Sequence, residues 1–157
     1  GEATTIDVIE EVEDNFSLYE SLIKKQNIDY EISVSEKPIK VKMARAALGQ
    51  IMANLIDNSV FWLVREKGAG KGGKIHVRVE PLEHGFRILF SDDGPGVDEE
   101  DRERIFEPYF TKKPDGIGLG LYIARLVIEK YGRLICHNDC EPQGACFEAI
   151  FERSVGR

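Results

Sequence analysis

From Asp7 to about Gln26 the apolar residues Ile9, Val12, Phe16, Tyr19, Leu22 and Ile23 recur mostly at steps of three and four, the spacing of one buried stripe on an amphipathic helix. The period then changes. Ile28, Tyr30, Ile32 and Val34 alternate with Asp29, Glu31 and Ser33, which predicts a half-buried strand. After Pro38, Ile39 to Val41 reads as a short return strand, and Ala44 to Lys67 as a long helix with no Gly or Pro after Gly49. The run Gly68-Ala-Gly-Lys-Gly-Gly73 ends it. That run superficially resembles a phosphate-binding P-loop, but no Ser or Thr follows its Lys and no strand precedes it, so it reads as a flexible connection.

Lys74 to Glu80 and Phe86 to Phe90 both alternate around a Glu83-His84-Gly85 turn, which predicts an antiparallel hairpin. Beyond it the pattern gives a loop at Ser91 to Gly96, a short charged helix over Asp98 to Phe106, and a glycine-rich loop. A helix over Leu119 to Tyr131 and strands at Leu134 to His137 and Ala145 to Phe151 complete the chain. The expected class is α+β: a two-layer sandwich, with a mixed, mainly antiparallel sheet covered on one face by about three helices.

Composition narrows the function. The chain has 157 residues, which at roughly 100 to 200 residues per domain predicts a single domain over residues 1–157. No apolar run reaches the roughly 18 residues of a membrane span, so the segment is expected to be cytoplasmic and to make no membrane contact. Lys plus Arg number 21 against 28 Asp plus Glu, a formal charge of −7. A chain this acidic is not expected to bind nucleic acid, and any polyanion must be held by local backbone groups and a metal. Cys136, Cys140 and Cys146 are odd in number and do not read as a disulfide framework; they suit a reducing compartment. Cys136, His137 and Cys140 lie close in sequence, but no second ligand pair at zinc-finger spacing accompanies them, so buried or half-buried thiols are expected.

Three elements carry candidate chemistry. Gln50, Asn54 and Asn58 stand four apart on the long helix, with Leu48, Ile51, Leu55 and Trp62 beside them facing the core. Such a stripe is either a satisfied amide row at a helix–sheet boundary or a pair of uncharged oxygen ligands, suited to a Mg²⁺ that bridges phosphates. Asp92-Asp-Gly94-Pro-Gly96 directly follows a strand. It is a common turn, or a fixed carboxylate that accepts from an exocyclic amine while glycines admit a flat ligand. Gly116-Ile-Gly118-Leu119-Gly120 leads into the final helix, where free N–H groups and the positive dipole end can face an anion.

The order of these elements adds to their meaning. Gln50-Ile-Met-Ala-Asn54-Leu-Ile-Asp-Asn58, then Asp92-Asp-Gly94-Pro-Gly96, then Ile105-Phe-Glu-Pro-Tyr-Phe-Thr-Lys-Lys113, then Gly116-Ile-Gly118-Leu119-Gly120-Leu121 together resemble the ATP-binding catalytic domain of sensor histidine kinases. That superfamily includes gyrase subunits, mismatch-repair MutL proteins and the ninety-kilodalton heat-shock chaperones, and its fold is the Bergerat type. The resemblance spans nearly the whole chain, with Gly144 and Phe147 similar to its last glycine-containing box. It implies ATP and Mg²⁺ as cofactors, with Asn58 as the metal-holding residue and Asp92 as acceptor of the adenine amino group. Gly94 and Gly96 would shape the purine pocket. Lys113 would lie near the phosphates, and Gly116, Gly118, Leu119 and Gly120 would belong to a lid, from Phe110 to Gly120, like the short lids of nitrogen-regulator sensor kinases.

Position 54 bears on the reaction class. Hydrolysing relatives carry a Glu four residues before the Mg²⁺-holding Asn, where it activates water as a general base; here Asn54 stands there, as in many histidine kinases. An amide cannot take that proton, so the resemblance implies γ-phosphoryl transfer to a histidine rather than efficient hydrolysis, with Asn54 as the candidate catalytic residue. His76, His84 and His137 fall on strands or a turn, so the acceptor is expected on a separate helical dimerisation domain outside this chain. A response regulator is the implied downstream partner, and the chain itself is expected to be monomeric. The alternative is an ATP-gated switch, or an ATPase of the same superfamily, without phosphotransfer. Departures from the family pattern are Ser59 for the usual Ala, Asp93 where Asn is common, Phe61 and Trp62 where many members carry a Lys or Arg and an aromatic, and Gly132-Arg133 for Gly-Gly. The second implies an added negative charge near the nucleotide, and the third implies one phosphate-side cation fewer.

Overall fold

The computed structural model describes residues 1–36, 38–113, 116 and 118–153. Strand β1 (Ala3–Asp7) precedes helices α1 (Val8–Leu18) and α2 (Glu20–Lys25). Strands β2 (Ile28–Val34) and β3 (Lys40–Ala44) lead into the long helix α3 (Arg45–Lys67). Strands β4 (Gly73–Leu82) and β5 (Gly85–Asp92) follow, then two single 3₁₀ turns at Glu99–Asp101 and Arg104–Phe106. Helix α4 (Gly120–Ile128) and strands β6 (Gly132–His137) and β7 (Cys146–Phe151) complete the chain.

The main sheet has five strands in the order β2-β4-β5-β7-β6, and β1 pairs with β3 in a separate two-stranded sheet. One inward row runs across the middle strands: Val77 opposite Phe90, Val79 opposite Ile88, Phe90 opposite Phe147 and Phe86 opposite Phe151. These side chains are buried together with Phe16, Leu48, Ile51, Leu55 and Ala124 from the helices, giving the expected two-layer arrangement of helices on a mainly antiparallel sheet.

Four local expectations are corrected. The helix expected over residues 7–26 is two helices, because Tyr19 leaves helical geometry (φ −102°, ψ 6°) and donates its hydroxyl to Asp57 Oδ2 on α3 at 3.2 Å. The short strand after Pro38 extends to Ala44 and pairs with β1, an element whose mostly exposed residues gave no periodic signal. With β3 so occupied, β2 pairs parallel with β4, across the α3 crossover that a parallel pair requires. The charged helix expected over 98–106 is two 3₁₀ turns, and α4 stops at Ile128 because Gly132 must lie against β7: a Cβ there would be 1.8 Å from Ile150 O.

The glycine run after α3 is a built turn. Gly68, Gly70, Gly72 and Gly73 all have positive φ, Gly70 N donates to Gln26 Oε1 at 2.7 Å, and Asn27 Nδ2 donates to Gly70 O at 2.9 Å.

Candidate functional site

The inward row of β5 ends on a carboxylate. Phe86, Ile88 and Phe90 occupy alternate core positions and Asp92 is the next, opposite Ile75 of β4, so the alternation that buries phenylalanines also buries Asp92, 2% exposed. Its oxygens are held from two sides: Ser59 Oγ on α3 donates to Oδ2 at 2.5 Å and Gly94 N donates to Oδ1 at 2.9 Å. Burial raises its pKa, while hydrogen bonding by Ser59 and the backbone at Gly94 and Ala145 pulls it back down in part. Gly94 stands behind the carboxylate, where a Cβ would come within 2.9 Å of Asp92 Oδ1.

Asp92 forms one wall of a cavity of about 630 Å³, within the range of small-molecule sites. Asn54, Asn58 and Trp62 line it from α3, and Gly96, Ala145 and Phe147 from the sheet side. Lys113, Gly116, Gly118, Leu119 and Gly120 line it from the expected lid and the start of α4. Every expected site residue except Gly94 is therefore on the cavity. Asn58 is buried and Asn54 Nδ2 has no partner among the described residues. An amide without a partner beside a cavity is free to donate to a bound group. Gln50, the third member of the expected polar row, is exposed, and Trp62 faces the cavity instead of the core.

The start of α4 lies on the cavity. Its N-cap is Leu119, which offers no side-chain cap, and first-turn N–H groups left without one can receive an anion. Gly118 has φ 78°, and its carbonyl accepts from Tyr109 N at 2.9 Å, which ties the two ends of the lid; a Cβ at Gly118 would sit 2.7 Å from Phe110 O. Pro114, Asp115 and Ile117, which fall within the expected lid, lie outside the described residues.

The structure alters both expected charge departures. Lys113 Nζ lies 5.0 Å above the Phe61 ring, so the aromatic seats the lid lysine where a second cation was expected. Burial lowers the Lys113 pKa, and Asp57 opposes that shift. Asp93 points away from the cavity: its Oδ1 accepts from Lys74 N at 2.7 Å and its Oδ2 pairs with Lys67 Nζ at 3.6 Å. A clasp not visible in the sequence closes the lid side, where Lys112 Nζ meets Asp101 Oδ2 at 2.6 Å and Asp98 Oδ2 at 3.6 Å. Ser59 was also missed as a site residue, because only the packing of α3 on β5 shows what its hydroxyl touches.

The cysteines correct a further expectation. Cys140 and Cys146 are bonded to each other with Cα atoms 5.7 Å apart, because the turn between β6 and β7 doubles back until Cys146 pairs with His137. Cys136 is a free buried thiol, pushed up to about 12 by burial.

Residues 43–154 match the family model described as histidine kinase-, DNA gyrase B-, and HSP90-like ATPase. The chain belongs to that ATPase family. The sensor protein TdiS of Thauera aromatica is 26% identical over 94% of this chain, and the C4-dicarboxylate transport sensor protein DctB of Rhizobium meliloti is 35% identical over 70%. This chain spans 27% and 17% of their lengths. Among solved structures, the nucleotide-free catalytic domain of histidine kinase ThkA superposes with a TM-score of 0.81 at 30% identity, covering 94% of this chain and 95% of that one. The mycobacterial sensor histidine kinase MprB gives 0.79 at 26% identity, covering 99% and 98%. ThkA has also been solved in complex with the response regulator protein TrrA. The ATPase fold and these relatives agree with a histidine kinase catalytic domain. Among the described residues no helix is long and apolar enough to cross a membrane.

Proposed function

We propose that this ATPase domain binds Mg-ATP and directs its γ-phosphoryl group to a histidine on a separate helical dimerisation domain of a longer sensor protein, from which a response regulator is served. One observation carries the reading: a single cavity has a buried acceptor, Asp92, at one side and an unpartnered amide, a lysine and an uncapped helix start at the other. In this reading Asp92 accepts from the adenine amino group, and Gly96 and Ala145 lie against the ring. Lys113 and the first-turn N–H groups of α4 receive the phosphates. Asn58 would hold the Mg²⁺, which neutralises charge on the triphosphate. Asn54, an amide where hydrolysing relatives have a base, orients without accepting a proton, so water is a poor competitor for the phosphoryl group.

Calorimetry is expected to show Mg²⁺-dependent ATP binding in the micromolar to millimolar range, lost in Asn58→Ala with the thermal melt unchanged; no saturable signal at millimolar ATP rejects the nucleotide reading. For transfer, the full-length protein given γ-labelled ATP should acquire an acid-labile, base-stable label. Binding without such a label favours an ATP-gated switch.

A further inference from the structure

The Cys140–Cys146 bond lies directly behind the nucleotide wall. Cys146 stands opposite Ser91 in the β5–β7 pair, one residue before Asp92, and its neighbour Ala145 accepts from Asp92 N at 3.1 Å. Gly144 packs so closely that a Cβ would be 2.2 Å from Asp92 O. The rest of the 138–145 turn is pinned to the same strand ends. Ser91 Oγ donates to Glu141 O at 3.0 Å, and Asn138 exchanges hydrogen bonds with the backbone of Val97. The two cysteines differ in burial: Cys146 is fully buried, whereas Cys140 is half-buried.

We propose that Cys140–Cys146 is a reversible thiol–disulfide site whose state sets the affinity of the nucleotide cavity; the affinity part rests on the Mg-ATP reading above. The attacking group is a low-molecular-weight thiol. Its thiolate attacks the sulfur of the less buried cysteine, Cys140, Cys146 leaves as a thiolate and takes a proton from water, and a mixed disulfide forms at Cys140. A second thiolate attacks the small-molecule sulfur of that mixed disulfide, freeing Cys140 and releasing the oxidised small disulfide; thiolates are the nucleophiles throughout. Closed, the bond ties the turn into a short ring and holds Gly144 and Ala145 against Asp92. Open, the turn keeps only its hydrogen bonds, and the wall beside the adenine position loosens.

The test uses the 157-residue chain, oxidised with glutathione disulfide or reduced with excess dithiothreitol. Thiol titration in denaturant should give one thiol after oxidation and three after reduction; three under both conditions overturns the site. Hydrogen exchange at the Asp92 amide, read without nucleotide, should be faster in the reduced form, and equal rates overturn the coupling to the wall. Reduction should weaken Mg-ATP binding at least threefold in the wild type. Cys140→Ser, chosen because that position is half-exposed, should show the weaker affinity under both conditions. Equal affinity of the two wild-type forms overturns the affinity claim, whereas binding by neither form overturns the Mg-ATP reading and leaves the exchange result to judge the disulfide's hold on the wall.

Discussion

Ser59 Oγ donates to Asp92 Oδ2 at 2.5 Å, and both residues are buried. The bond joins α3 to the end of β5 and fixes the plane of the carboxylate that faces the cavity. A hydrogen bond to a buried charged group contributes about 1.5–3 kcal/mol, so Ser59→Ala should weaken ATP binding roughly tenfold. The bond also favours the ionised carboxyl, so its loss raises the Asp92 pKa further. Binding needs the ionised form and is lost as pH falls through that pKa; in Ser59→Ala the loss should begin at a higher pH. An unchanged pH profile of affinity would leave Ser59 as packing alone.

Asp92 trades stability for recognition. Its folded pKa is raised by burial above the ordinary aspartate value of about 3.9, so the native state holds the proton more tightly than the unfolded chain. Stability therefore falls as pH rises from the unfolded value through the folded one, and the loss persists at pH 7. Asp92→Asn keeps the shape without the charge, and the Ser59 hydroxyl can turn to accept from the amide. The variant should melt a few degrees higher than wild type at pH 7, at about 2–4 °C per kcal/mol, while losing ATP binding. Calorimetric melts at pH 7 and pH 5 measure this, and the gap should narrow at the lower pH.

Lys113 should act on phosphates and not on the purine. Its ammonium sits over Phe61, so Lys113→Ala should reduce ATP affinity by about an order of magnitude, the scale of one charged hydrogen bond, and leave adenosine binding within about twofold. Burial lowers its pKa, so wild-type ATP affinity should decline with rising pH before the ordinary lysine value of about 10.4 is reached. Equal losses for ATP and adenosine would assign the lysine to lid folding.

Asn54 is the simplest place to change the reaction. Its Nδ2 has no partner among the described residues, so Asn54→Glu breaks no hydrogen bond there. Wild-type hydrolysis is expected below about one turnover per second, the low end of the usual enzyme range. A carboxylate at this position can take a proton from water, so the variant should hydrolyse ATP faster. Phosphate release assays decide, and no increase would remove general-base absence as the reason for slow hydrolysis.

Local period made the elements readable. The alternation of Ile75, Val77 and Val79, and of Phe86, Ile88 and Phe90, established the β4–β5 hairpin and its inward face, because a strand with one buried face must repeat every two residues. The motif order likewise singled out Asn54, Asn58, Asp92, Gly116, Gly118 and Gly120, each readable from its own stretch of chain, and all six line one cavity. Strand β1 was not readable, because only Ile6 among its residues is buried.

What the residues alone determined is the kind of groups available: two amides one helical turn apart, a carboxylate at a strand end, and glycines before a helix. Only the tertiary structure decided their partners. It turned Asp93 out to Lys67, laid Lys113 on Phe61, hung Ser59 on Asp92 and joined Cys140 to Cys146. The reason is physical: period and motif act within one element, whereas these contacts join elements whose register and packing arise from burying one common core.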